Sequence, residues 1–276
     1  MKPKLLSVEE QETYAEALHL LNESGIRYVV SGAVALGYYT GLWRNTKDLD
    51  LFLVQKDLTA ALTVMATHGY TVGTPAPHWL ANAIKGNYYV DLIHGFGGWR
   101  AAVDDVWYER GPKSTLLGQS VRVAPVEELI WIKSYVAHRE RFDAADILHL
   151  IQACHQKLDW QHLIDRYGPC WEVLLFYLNL YEFAYPTCRS DIPAWVRQQF
   201  RERWRISRRE PVRQPAVTQG TLLDRFSYLI DLDEGLVDGR LPWVEAQGYS
   251  ERALAQDREE ATQMVREGKV NPAKVA

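Results

Sequence analysis

Apolar positions recur every three to four residues from Tyr14 through Ala17 and Leu18 to Leu21, and the run is introduced by Ser7-Val8-Glu9-Glu10. Serine followed three residues later by glutamate is a capping box, so this stretch predicts an amphipathic helix that stops at Gly25. The periodicity then shortens to that of strands. Tyr28–Val30 is a short apolar run ending in the small-residue turn Ser31-Gly32, with a brief helical pattern after it. In Asp48-Leu49-Asp50-Leu51-Phe52-Leu53-Val54, polar and apolar residues alternate before the pattern becomes wholly apolar, the signature of a strand entering a core. Leu58, Ala61, Leu62 and Met65 mark another helix, capped by Asp57 and stopped by Gly69. Tyr70–Val72 reads as a strand and Thr74-Pro75-Ala76-Pro77 as a turn. Trp79–Ile84 and Tyr88–Ile93 flank Lys85-Gly86-Asn87 as a hairpin, and Val121–Val123 is a last short strand.

From Pro125 onward the character becomes all-helical, apart from Thr218–Phe226, a turn and helix of mixed polarity with no assignment. Leu129, Ile132, Lys133 and Val136, then Ile147, Leu148, Leu150 and Ile151, carry helical spacing. Trp160, Trp171, Leu174, Tyr177, Leu178 and Tyr181 form an aromatic-rich stripe better suited to a core than to a cofactor box, and Pro186 ends it. Residues 250–267 predict a charged helix. The expected architecture is therefore a mixed α/β (α+β) domain with a small sheet over residues 1–124, followed by an all-α C-terminal region over residues 125–276.

Composition narrows the class. The 276 residues are 47% hydrophobic and 24% charged, ordinary for a globular protein, and ten tryptophans with fifteen tyrosines supply large core side chains. A formal charge of −4 speaks against a wholly basic nucleic-acid surface. Three widely spaced cysteines, Cys154, Cys170 and Cys188, fit neither a disulfide framework nor a zinc site and suit a reducing cytoplasm. The first residues lead straight into an acidic helix, and no apolar run approaches ~18 residues, so neither a leader nor a membrane span is expected.

The chemistry concentrates at Asp48 and Asp50. Two residues apart in a strand, they project from one face and repel each other unless a cation sits between them. Their setting is Ser31-Gly32, then Arg44, Thr46-Lys47-Asp48-Leu49-Asp50, then Asp91 within Tyr88-Tyr89-Val90-Asp91-Leu92-Ile93. This order resembles the nucleotidyltransferase superfamily of DNA polymerase β, the aminoglycoside nucleotidyltransferases and abortive-infection toxins, with Ser-Gly where the family turn is commonly Gly-Gly or Gly-Ser. The resemblance covers roughly residues 25–150. It implies Mg²⁺, two ions, held by Asp48, Asp50 and Asp91, and a nucleoside triphosphate (NTP) whose phosphates meet Ser31, Gly32, Arg44, Thr46 and Lys133. The implied reaction moves a nucleoside monophosphate to an acceptor hydroxyl on RNA, protein or a small molecule. Lys133 also reads as a lysine snorkelling from an apolar helix, and Arg141, Asp143 and Asp146 as an intramolecular ion-pair and capping set.

Three further features leave alternatives open. His94-Gly95-Phe96-Gly97-Gly98-Trp99 is either a lid whose aromatics stack on a base or a packed loop. His94 and His138 read as satisfied structural histidines. Seven arginines between Arg197 and Arg213, among them Arg203, Arg205, Arg208 and Arg209, alternate with Trp195, Phe200 and Trp204. Arginine with aromatics suits RNA or polyphosphate, whereas a charge run is also what a solvated helix face looks like. A catalytically silent nucleotide sensor and an RNA-binding partner thus stand beside the enzyme reading.

Overall fold

A computed structural model describes residues 6–44, 46, 48–209 and 215–270. The chain divides into two compact units, Met1–Leu129 and Ile130–Ala276.

The first unit contains α1 (Val8–Glu23), β1 (Val29–Val30), α2 (Gly32–Thr40), β2 (Asp48–Phe52), α3 (Gln55–Thr67), β3 (Thr71–Ala76), β4 (Leu80–Lys85), β5 (Tyr88–Ile93), α4 (Asp105–Arg110), β6 (Lys113–Leu116) and β7 (Gln119–Arg122). Its main sheet has the order β1-β2-β5-β4-β3. Only β2 and β5 run parallel, and the other neighbours are antiparallel. Both bonds of the capping box are made at Ser7 and Glu10. Tyr14, Leu18 and Leu21 of α1, with Ala61 and Met65 of α3, join Leu49, Leu51, Val90 and Leu92 in one buried cluster. The strand alternation therefore puts leucines toward the helices and Asp48, Asp50 and Asp91 on the opposite face. A register slip of one residue would exchange the two sets, exposing side chains whose burial is worth about 1.5–3 kcal/mol each.

Several local expectations are corrected. Thr74, Pro75 and Ala76 lie in β3, not in a turn. β3 is an edge strand with a register irregularity between Gly73 and Ala76, where a residue without N–H is tolerated. The N-cap of α3 is Val54, and Asp57 sits in its first turn. The last strand pairs with an unforeseen partner, β6, across Leu117-Gly118, both at positive φ as in a type I′ hairpin.

The division between the units falls within α5 (Val126–Ser134). The second unit continues with α6 (Ala144–Cys154), α7 (Trp160–Tyr167), α8 (Trp171–Ala184), α9 (Ala194–Ser207), β8 (Val217–Thr218), α10 (Leu229–Asp233), β9 (Val237–Asp238), α11 (Leu241–Ala246) and α12 (Glu251–Arg266). Among its described residues it is mainly helical, with the two-residue β8–β9 pair and an isolated Ala137–Phe142 bridge. Trp160, Trp171, Leu174, Tyr177, Leu178 and Tyr181 are buried, as their spacing demands. Toward the C-terminus a polar core takes over. Arg240, 1% exposed, pairs with Asp238 at 2.7 Å and with Asp257 at 2.6 Å, and Asp257 also binds Arg225.

Candidate active site

The turn after β1 is built around the backbone of β2. Ser31 N–H donates to Asp50 O at 2.9 Å, and Ala35 N–H donates to Ser31 O at 3.1 Å, which starts α2. Ser31 occupies the N-cap without a side-chain capping bond. Its buried hydroxyl has no hydrogen-bond partner among the described residues. Helix starts carry N–H groups without intrahelical acceptors, and a cap that does not use them leaves them to an anion. Gly32 has φ +57°, and a Cβ placed on it would lie 1.7 Å from Asp50 Oδ2. Glycine is required twice over here: by the left-handed backbone and by the carboxylate pressed against it.

Asp48 and Asp50 leave β2 on one face. Asp91 stands directly beside Asp50 in the parallel β2–β5 register, so its side chain shares that face. One carboxylate oxygen from each of the three lies within 4.8 Å of the others, and all three residues are half-buried. Burial, with the Asp48 charge added to it, pushes the Asp91 carboxyl up to about 6. Thr46 Oγ1 donates to Asp48 Oδ1 at 2.6 Å and fixes one member of the set. Three hard oxygen donors whose mutual repulsion a dication would relieve fit Mg²⁺.

The other expected residues are placed as follows. Arg44 is exposed at the end of the segment after α2. Lys47 and Arg213 lie outside the described residues. Lys133, in the second unit, is buried with Nζ at 2.8 Å from both Asp143 and Asp146. Arg141 binds Asp143 through Nε at 3.0 Å, so the expected ion pair is made, whereas Asp143 sits at the N-cap of α6 without a side-chain capping bond. Burial lifts the Asp143 carboxyl, but the Arg141 hydrogen bond and the Lys133 charge hold it below the usual carboxylate range.

The loop after β5 is packed. Phe96 and Trp99 are each 3% exposed, and Trp99 stacks on His78 with ring centres 4.0 Å apart. The aromatics of the proposed lid are thus taken up by the fold. His94 alternates to the opposite face from Asp91 and is buried. Desolvation, and then His78, push its imidazole down to about 4. It is not the satisfied histidine expected, since Nε2 has no partner among the described residues. Two neighbours of the acids escaped the sequence reading. Asn82 faces Asp91 across β4–β5, and exposed Tyr89 stands beside Asp48 across β2–β5. Neither belongs to a motif, and only the sheet order brings them to the acid face.

Comparison with known proteins identifies the family. Residues 10–169, more than half of the chain, match the family described as nucleotidyl transferase of unknown function (DUF2204). The chain belongs to this nucleotidyl transferase family. No match is found among the curated proteins. Among solved structures, the antibiotic-resistance factor ANT(2″)-Ia is similar at 15% identity and a TM-score of 0.43, over 64% of this chain and 98% of that one. An antigenic nucleotidyltransferase-like protein from Paracoccidioides brasiliensis is similar at 17% identity and a TM-score of 0.43, over 67% and 93%. The lincosamide antibiotic adenylyltransferase LnuA, bound to lincomycin, is similar at 15% identity and a TM-score of 0.38, over 52% and 96%. The family assignment rests on the match to residues 10–169. Among the described residues no helix is long and apolar enough to cross a membrane.

Proposed function

We propose that the protein is a cytoplasmic, Mg²⁺-dependent nucleotidyltransferase that moves a nucleoside monophosphate from an NTP to an acceptor hydroxyl and releases pyrophosphate. The observation that carries this reading is the convergence of Asp48, Asp50 and Asp91 beside a glycine turn that only glycine can make. Those three carboxylates would hold Mg²⁺, which when bound screens the triphosphate and favours ionisation of the acceptor hydroxyl. The acceptor oxygen forms a bond to the α-phosphorus while the bond from that phosphorus to the bridging oxygen breaks, and the pair of electrons leaves with pyrophosphate. Asp91 takes the hydroxyl proton.

The Ser31 hydroxyl, unpartnered among the described residues, the Gly32 N–H and the start of α2 receive phosphate oxygens. Thr46 keeps Asp48 in place, and Arg44 offsets triphosphate charge. Lys133, which the resemblance assigns to the phosphates, is held by Asp143 and Asp146 within its own unit. Asn82, across from Asp91, and Tyr89, across from Asp48, flank the acids.

The test supplies Mg²⁺ and each α-labelled NTP with RNA, protein and small-molecule pools, beside Asp48→Asn and Asp50→Asn. Label passing to one pool and lost in both variants is the expected result. Metal-dependent NTP binding without transfer to any pool would instead make the protein a sensor.

A further inference from the structure

The exposed side of α9 has a composition that the transfer site does not use. Its inner side is anchored: Val196 and Phe200 are buried, Phe200 against Trp171 with ring centres 6.1 Å apart. Arg197 binds Glu182 at 2.7 Å, and half-buried Arg203 reaches Gly168 O at 3.5 Å. Arg203 therefore leaves the group of arginines singled out in the sequence, and Arg201 takes its place. Arg201, Trp204, Arg205 and Arg208 are all exposed, Trp204 at 48%. At ~100° per residue these four fall within an arc of about 100°, and the stripe runs for ~10 Å along the helix. The Arg208 guanidinium already lies over the Trp204 ring, 4.6 Å from its centre. Between Arg201 and Arg209 there are five arginines and a single acid, Glu202, which binds Arg205 at 2.6 Å. A chain of net charge −4 thus concentrates positive charge on one helix.

We propose that this Arg201–Trp204–Arg205–Arg208 stripe binds single-stranded nucleic acid. The cations are all arginine, whose planar forks grip phosphate in two places and stack on bases, whereas a diffuse solvating face would do as well with lysine. Trp204 offers a ring braced by Arg208 for an unpaired base. Binding through it needs neither NTP nor Mg²⁺, so it goes beyond the transfer reaction and stands or falls apart from it.

The experiment titrates the full chain, in EDTA and without NTP, into fluorescein-labelled oligouridine, oligothymidine, a duplex of the same length, and phosphatidylserine–phosphatidylcholine vesicles. The same titrations are made with Arg201→Ala/Arg205→Ala/Arg208→Ala, with Trp204→Ala and with Asp48→Asn, each checked for helix content by circular dichroism. Both single strands are expected to bind better than the duplex, and Asp48→Asn is expected to bind as wild type. Each phosphate-contacting arginine removed should lower the salt slope by about 0.7, whereas Trp204→Ala should weaken binding roughly tenfold at an unchanged slope. A preference for oligouridine over oligothymidine would assign the surface to RNA, and the reverse to DNA. The proposal is overturned if well-folded triple and Trp204 variants bind as wild type, if vesicles bind and oligonucleotides do not, or if no probe binds at low ionic strength.

Discussion

Replacing Gly32 by alanine tests how the carboxylate set is held. The substitution acts twice. It puts a side chain on a residue at φ +57°, a left-handed conformation that costs about 1–2 kcal/mol for an L-residue. It also places a methyl group 1.7 Å from Asp50 Oδ2. Ordinary contact begins near ~3.5 Å, so the carboxylate must retreat by about 2 Å, and crowding of this kind costs a further ~1–3 kcal/mol. Gly41, at the other end of α2, separates the two effects. Its φ is +72°, but a Cβ there meets nothing within 4 Å among the described residues. Gly41→Ala should therefore lose only the backbone share, about 1–2 kcal/mol, and keep full transfer activity. Gly32→Ala should lose about 2–5 kcal/mol in total. Its transfer rate should fall at least ~100-fold, because a reacting group displaced by an ångström or more loses its alignment. Urea unfolding of both variants, with initial transfer rates at saturating NTP and Mg²⁺, measures each part. If Gly32→Ala unfolds with Gly41→Ala and transfers like wild type, the close approach of Asp50 to the turn does not hold the site.

The remaining predictions concern buried charge. Asp91 and His94 titrate in opposite senses in the metal-free protein. The Asp91 carboxyl is raised from its ordinary 3.8 to about 6, so its contribution is complete below pH 4 and is lost as pH rises through 6. The His94 imidazole is lowered from 6.5 to about 4, so its contribution is complete above pH 6.5 and is lost as pH falls toward 4. Unfolding in EDTA from pH 4 to 8 should show Asp91→Asn to be more acid-sensitive than wild type and His94→Gln less so. The expected amplitudes are about 1 kcal/mol for half-buried Asp91 and about 3 kcal/mol for His94, and equal profiles would refute both assignments. Lys133→Met removes the cation that two buried carboxylates share and should cost about 3–5 kcal/mol, much of it recovered when Asp143→Asn and Asp146→Asn are added. Arg240→Met leaves Asp238 and Asp257 facing each other without their shared cation. A similar loss, read by limited proteolysis as earlier cleavage within residues 215–270, is expected, and unchanged resistance would show that the pair is dispensable.

The legible parts of the chain were those in which local pattern and tertiary position agree. Asp48-Leu49-Asp50-Leu51 announced a strand with two faces because its neighbours, α1 and α3, bury only one of them. The hairpin from Trp79 to Ile93 and the capping box at Ser7 likewise rest on residues close in sequence. What escaped depends on partners far along the chain. Pro75 looked like a turn because its fitness for a strand comes from β3 being an edge, which only the sheet order reveals. Trp99 looked free to move because its stacking partner, His78, lies twenty-one residues earlier, before β4. The hairpin turn at Leu117-Gly118 was hidden by a leucine at φ 49°, where asparagine or glycine is the usual signal. At the candidate site the acids and the glycine turn were readable from motif order, whereas Asn82 and Tyr89 required the register of β4 and β5.

The irregular outer strand has a consequence for how copies of this protein meet one another. An unpaired strand rim is a template on which a second chain can extend the sheet, the first step toward fibrils and swapped dimers. On β3 the template is spoiled from within: Pro75 brings no N–H to the rim, and the register breaks between Gly73 and Ala76. The far rim, β1, is two residues long and too short to seed growth. The sheet that carries the three aspartates is thereby closed to further strands at both sides, and crowding this protein at high concentration should leave its β content unchanged.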